Sequence, residues 1–432
     1  MPVTIHPNQA LPNTADLSDI PGDKSISHRL ALLGALADGP STIHNFLRSD
    51  DCLNTLAIIQ QLGVPVTDTD TAITIHGVGL HGLRPAKKAL NVGNSGTAIR
   101  LLTGVLAAQA FASTLTGDAS IQSRPMARVT QPLALMGARI DSDYAPLHIP
   151  GGAVLSGLDY TLPIPSAQVK SALLFAGLYA NSPTHIHEPI PCRDHTERLF
   201  QHFHIPLTRS QTTITLTPPT QIAAPTPPIV VPRDLSSAIF FIALGLLTQK
   251  TWTFEHIGVN PTRRAGLDHL MAMGGQIQCQ ASDTGTEPTA TLTLQPSTLK
   301  SAPIAAESVA NLIDEVPILA ITTLCAGQPF RIRDAAELRV KESDRLATIA
   351  QLATALGATV REYPDGIDIE PPTAFLDFEY DCHFDHRLAM SASIAAIATG
   401  VRATIHGCES IQTSFPTFFT LLDTLGIAYT RT

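Results

Sequence analysis

Six times along the chain, a polar and partly basic head precedes an unbroken apolar run that ends at a turn signal. The first instance is the plainest. Gly22-Asp23-Lys24-Ser25-Ile26-Ser27-His28-Arg29 leads into the run 30–37, and Asp38-Gly39-Pro40 stops it. Residues 41–45 then alternate like a strand. A helix that is apolar all round is a buried helix. Ser and Asp residues in its head cap the first turn, and the remaining N–H groups there face solvent or an anion. The same order returns with heads at 94–100, 166–171, 233–237, 314–317 and 385–387, before apolar runs at 101–108, 172–180, 238–247, 318–326 and 388–399. Heads recur roughly every 70 residues, long enough for one multi-element unit.

The second half of each unit recurs too. Alternating strands are predicted at 42–46, 113–117, 184–188, 251–256, 330–333 and 403–406. Amphipathic helices are predicted at 50–62, 128–136, 194–203, 262–273, 343–356 and 416–425. Five of these helices stop at a glycine (Gly63, Gly137, Gly274, Gly357, Gly426), the favoured residue just past a helix C-terminus. Ala-rich helices resemble one another by chance, but two helices plus strands in one order six times argue for a repeat. The stretch 217–232 holds six prolines and no charge, with three units before it and three after. Two domains are therefore expected, 22–232 and 1–21 plus 233–432, joined by hinge strands near 20–22 and 230–234. Their buried helices are expected to point N-termini into the cleft between them.

Composition narrows the class. With 432 residues, 44% hydrophobic and 15% charged, the chain is globular and too long for one ordinary core. A net charge of −9 argues against nucleic acid held on a broad basic face, though a basic cleft for small anions remains compatible. Six scattered cysteines without a C-x-x-C pair read as reduced thiols. The start, Met1-Pro2-Val3-Thr4-Ile5-His6, lacks signal-peptide features, and no apolar run spans a bilayer. A cytoplasmic protein with no membrane partner is expected.

The heads concentrate chemistry. Lys24, Ser25 and Arg29, Asn94 to Thr97, Ser166, Gln168 and Lys170, Asp314 and Glu315, and His386 and Arg387 are joined by charged clusters at 124–128, 193–195 and 339–345. Cations at helix N-termini make phosphate and carboxylate sites. Two acids in so basic a setting, Asp314 and Glu342, are candidates for proton transfer. Blander readings exist: 341–345 alone would be a charged first helical turn, 94–97 an ordinary cap, and Asp385-His386 a solvated cap. His185 and His187 share a strand face without a third ligand, so no metal is expected. No Walker loop, G-x-S-x-G elbow or dinucleotide fingerprint occurs.

Five runs in order, Gly22 to Arg29, Gly93-Asn94-Ser95-Gly96-Thr97 with Arg100, Gly117 to Ser120 with Arg124-Pro125-Met126, Leu338 to Arg345, and Asp385-His386-Arg387, resemble the 5-enolpyruvylshikimate-3-phosphate synthase (3-phosphoshikimate 1-carboxyvinyltransferase) family. The resemblance covers nearly the whole chain. It implies an α/β fold of the enolpyruvyl transferase type: two domains, each of three βαβαββ repeats with buried parallel helices (an inside-out α/β barrel), and an active site in the interdomain cleft. It also implies transfer of the carboxyvinyl group of phosphoenolpyruvate to the 5-hydroxyl of shikimate 3-phosphate, releasing phosphate, with no cofactor, by a monomer. By motif, Lys24, Ser25, Arg29, Ser166, Ala167, Gln168, Arg193, Asp314 and Lys341 would bind shikimate 3-phosphate. Lys24, Asn94, Gly96, Arg124, Gln168, Arg345 and Arg387 would hold phosphoenolpyruvate. Asp314 would take the hydroxyl proton, and Glu342 with Lys24 would protonate the methylene carbon.

Two departures qualify the match. Ala167 stands where some members have a second serine, which resembles the family's second class. The stretch Ile411-Gln412-Thr413-Ser414-Phe415-Pro416 lacks a lysine that some members carry there. Gly96 leaves room for phosphonate mimics such as glyphosate. The sister transferase acting on UDP-N-acetylglucosamine typically has a lysine-asparagine head and a loop cysteine; here Ser25 follows Lys24, and Ile121-Gln122-Ser123 holds no cysteine. A non-catalytic phosphometabolite binder would have lost the acids, and an RNA-end-processing enzyme fits poorly with the acidic balance.

Overall fold

The computed structural model describes residues 2–8, 10–282 and 285–431. Met1, which opens the N-terminal stretch read above, and Thr432 at the other domain limit lie outside the described residues. Each polar head starts a helix: Lys24–Leu36, Gly96–Leu106, Ala167–Gly177, Leu235–Leu247, Val316–Cys325 and His386–Thr399. In five of the six the residue before the helix caps it. Asp23, Ser95, Ser166, Asp234 and Asp385 accept from the backbone N–H groups of Ile26, Ala98, Val169, Ser236 and Arg387. Glu315 makes no such cap and is used elsewhere.

The amphipathic helices are Asp50–Gln61, Ala127–Leu135, His195–His202, Ala265–Ala272, Arg345–Ala355 and Phe418–Thr424. All five predicted stop glycines take positive φ, from 71° at Gly426 to 102° at Gly137. The sixth helix has no glycine to use, so His204 takes the left-handed conformation at φ 56°.

Every repeat builds its own sheet with the strand that follows the buried helix, central in five repeats and at the edge in one. Asp38–His44 lies between Ile229–Val230, parallel, and Ala72–Val78, antiparallel, with Val66–Asp68 outermost. Thr184–His187, Thr251–Gly258 and Ala403–His406 sit in sheets of the same pattern. The sheet centred on Ser113–Thr116 has three strands, as does the sheet in which Phe330–Ile332 is an edge strand beside Gly366–Glu370. Three strands come from far along the chain. Ile229–Val230 returns to the first sheet, while Val3–Ile5 and Thr14–Asp16 join the sheets of Ala403–His406 and Thr251–Gly258.

The chain divides into two compact units, Met1–Pro21 with Pro232–Thr432, and Gly22–Val231. The sequence reading put Pro232 in the other half. The backbone changes sheets across this proline, which has no N–H: Val231 donates to the His44 carbonyl and Arg233 to that of His256. Each unit has its own apolar core. In Gly22–Val231, Gly104 lets two buried helices touch, since a Cβ there would stand 2.1 Å from the Ala172 carbonyl oxygen. No single helix among the described residues is long and apolar enough to cross a membrane.

Candidate active site

In the unit Gly22–Val231, side chains from the heads of the three buried helices bond to one another, so the helices run in one direction. Arg29 donates to Thr196 Oγ1 at 2.7 Å, to Ser171 Oγ at 2.7 Å and to the Ser25 carbonyl at 2.8 Å. At 3% exposure its guanidinium clamps two buried helices to the head of His195–His202. His28 sits between Thr55 Oγ1 at 2.8 Å and Ser95 Oγ at 3.3 Å. Burial, with Lys24 and Arg29 close by, holds its pKa well below the usual histidine range, so this ring is neutral. Lys24 pairs with the buried carboxylate of Asp51, leaving its side chain 19% exposed.

The second head gathers the expected anion ligands. Arg124 donates to Asn94 Oδ1 at 3.0 Å and to Ser120 Oγ at 2.9 Å, and Asn94 donates to Asp118 Oδ2 at 2.6 Å. Gly96 faces two guanidinium groups: a Cβ there would lie 3.0 Å from Arg100 Nη1 and 3.1 Å from Arg124 Nη1. Arg100 Nη1 donates to Gln168 Oε1 at 2.6 Å, and Gln168 Nε2 donates to Thr97 Oγ1 at 3.0 Å. Ser166 caps its helix beside half-buried Ala167, and half-buried Arg193 stands just ahead of His195–His202.

Lys170 does not join these cations. It is fully buried, 2.7 Å from Glu188 and 2.6 Å from Glu197. Burial alone would lower its pKa, but those carboxylates and Cys192 raise it above the usual lysine value. A lysine at the fourth position of a head looks the same in sequence whether it faces an anion or two buried acids. His185 and His187 bond to Thr215 and Thr213 across their sheet, and His187 also meets Asp159.

The other unit holds the candidate acids. Arg345, 1% exposed, donates to Asp385 Oδ2 at 2.8 Å and to Glu342 Oε2 at 2.7 Å, and its Nη1 lies 3.5 Å from Asp314 Oδ1. Burial opposes its charge, but Asp385, Glu342 and Asp314 more than offset this and push its pKa up. Arg387 donates to the Asp314 carbonyl at 2.9 Å and stands 3.7 Å from Glu315. Glu315 is buried, bonded to Ser236 and 3.0 Å from Arg263. Again the three buried helices have bonded heads and run one way. Lys341 lies 3.3 Å from Glu337, and its enclosure lowers its pKa despite Glu337, Asp314 and Glu342. Asp314, Glu342, Arg345 and Arg387 thus form one cluster with Lys341 at its margin.

Residues 12–422 match the EPSP synthase (3-phosphoshikimate 1-carboxyvinyltransferase) family. The chain belongs to this family. It is 45% identical over 414 residues to the 3-phosphoshikimate 1-carboxyvinyltransferase of Methylococcus capsulatus, covering 94% of each chain. Identity to that of Halorhodospira halophila is also 45%, over 94% of this chain and 93% of the relative. An EPSP synthase structure from Acinetobacter baumannii superposes with a TM-score of 0.86 at 39% identity, covering 99% of both chains. The two-domain α/β architecture expected from the repeats is that of the EPSP synthases.

Sequence reasoning passed over four partners of the site residues. Asp51 pairs with Lys24, Arg100 with Gln168, Asp385 with Arg345, and Arg263 with Glu315. Asp385 and Arg100 stood within quoted motifs, but nothing in their spacing named a partner. Asp51 and Arg263 lie on the amphipathic helix and its approach, where charges ordinarily face water.

Proposed function

We propose that this chain is a 3-phosphoshikimate 1-carboxyvinyltransferase, taking shikimate 3-phosphate and phosphoenolpyruvate to 5-enolpyruvylshikimate 3-phosphate and phosphate. One observation carries the assignment of roles: a single buried guanidinium, Arg345, holds both Asp314 and Glu342. A buried cation so placed holds both carboxyl groups in fixed orientation at one point, where each can exchange a proton with substrate.

Asp314 accepts the proton of the 5-hydroxyl as its oxygen bonds to C2 of phosphoenolpyruvate. Glu342, with Lys24, delivers a proton to C3, which gives a tetrahedral intermediate. Glu342, deprotonated by the first step, then takes a proton from C3, which breaks the C2–O bond to phosphate and restores the double bond. Two polyanions must share one site, so their repulsion has to be offset by several cations and helix N-termini. Lys24, Asn94, Gly96, Arg124, Gln168, Arg345 and Arg387 bind phosphoenolpyruvate. Lys24, Ser25, Arg29, Ser166, Ala167, Gln168, Arg193, Asp314 and Lys341 bind shikimate 3-phosphate. These steps need no metal or organic cofactor, since the named side chains handle the protons and the charge. The enzyme works as a cytoplasmic monomer, a setting that suits six free cysteines.

The test is phosphate release that depends on both substrates together. Asp314→Ala and Glu342→Ala should each lower kcat at least about a hundredfold, the usual range for a general acid or base. Turnover of UDP-N-acetylglucosamine instead, or undiminished rates in both variants, would overturn the assignment.

A further inference from the structure

Gln168 sits in the first turn of its helix with its carboxamide fully determined by two neighbours. Arg100 has donors only, so the edge of the amide facing it must be the oxygen. The bond is short, 2.6 Å, and Arg100 is 6% exposed. Oxygen held there turns Nε2 to the opposite edge, where one N–H donates to Thr97 Oγ1 at 3.0 Å. The second N–H has no partner among the described residues, and Gln168 is only half-buried. Left to itself, an amide beside an anion turns either edge with little preference in sterics, and the wrong edge would present a carbonyl lone pair to negative charge.

We propose that Arg100 is a positioning residue that fixes the Gln168 carboxamide with its N–H edge available to phosphoenolpyruvate. This rests on the proposal above that Gln168 contacts that substrate. The close approach of the two helices at Gly104 and Ala172 makes the reach possible, since Arg100 and Gln168 both lie in the N-terminal halves of these helices. Gly96 belongs to the same device, because a Cβ there would crowd Arg100 Nη1 at 3.0 Å. Substitution at 96 therefore acts on Gln168 through Arg100 as well as by its own volume.

A double-mutant cycle tests the coupling, with KM for each substrate, kcat and Tm measured on the purified full chain. Gln168→Ala should raise KM for phosphoenolpyruvate about tenfold or more, the worth of one hydrogen bond to a charged group. Arg100→Met should do the same, Arg100→Lys should recover part of the loss, and the double variant should be no worse than either single one. Gln168→Glu keeps the bond to Arg100 but replaces the N–H edge with oxygen, so it should raise KM for phosphoenolpyruvate at unchanged Tm even where Arg100→Met folds poorly. Additive effects in the cycle, or an unchanged KM in Gln168→Glu, would overturn the positioning role while leaving the contact of Gln168→Ala intact. An unchanged KM in Gln168→Ala would remove the substrate contact itself, and the inference with it.

Discussion

Arg345 donates from Nε to Asp385 Oδ2 at 2.8 Å, and the same carboxylate caps the helix that carries Arg387. One buried acid thus sets two cations, gripping the first by its side chain and the second through its backbone N–H. Asp385 is wholly buried and also accepts from Ser343 Oγ at 3.1 Å.

Removing that acid takes from Arg345 its one wholly buried carboxylate and leaves Glu342 and Asp314 to offset the charge. Asp385→Ala should cost up to about 3–5 kcal/mol of unfolding free energy, the range for a buried charge left wholly uncompensated being the upper bound. Asp385→Asn keeps a cap and should cost less, yet it should raise KM for phosphoenolpyruvate. Urea denaturation and steady-state kinetics on the two variants measure both effects; a wild-type denaturation midpoint in Asp385→Ala would contradict the account.

At position 96 a methyl group would come within 3.0 Å and 3.1 Å of two guanidinium nitrogens. Gly96→Ala should therefore weaken both phosphoenolpyruvate and glyphosate, the longer phosphonate more. The wild-type chain should be inhibited by glyphosate below millimolar concentration. Inhibition constants and KM from one set of rate measurements decide it, and equal losses for the two ligands would count against the steric argument.

The ring of His28 dictates a pH dependence. Its folded pKa lies well below the 6.5 of a free histidine, through burial first and then the charges of Lys24 and Arg29. Below about pH 6.5 the unfolded chain takes up a proton there that the folded chain refuses, so stability falls as pH falls. The slope should approach about 1.4 kcal/mol per pH unit for this group, until the folded pKa is reached. His202 and His269, also lowered chiefly by burial, add to it. His28→Gln should flatten the stability profile between pH 5 and pH 6.5, as thermal melts across that range would register.

His204 pays for a missing glycine with its backbone. Exposed and at φ 56°, it occupies the place that five glycines fill in the other repeats. His204→Gly should stabilise the chain by up to about 1 kcal/mol, because relief of the left-handed strain exceeds the added freedom of the unfolded state. That corresponds to a rise of about 2–4 °C in Tm by calorimetry. A lowered Tm would mean that the histidine side chain contributes more than its backbone costs.

Local features of the chain were legible because they depend on local physics. Apolar runs behind capped heads can only be buried helices, and glycine after an amphipathic helix signals the left-handed stop, so helix positions and five of six caps follow from the residues alone. Motifs in order likewise named the family. What the tertiary structure decided is long-range pairing. No local pattern says that Val3–Ile5 lies between Ala403–His406 and Tyr429–Arg431, or that Ile229–Val230 returns to Asp38–His44, since a short strand fits any open edge of matching register. Charge behaves in the same way. Lys24, Lys170 and Arg100 look alike as cations in polar heads, and only the neighbours brought by folding make one paired with Asp51, one buried between two glutamates and one the holder of Gln168.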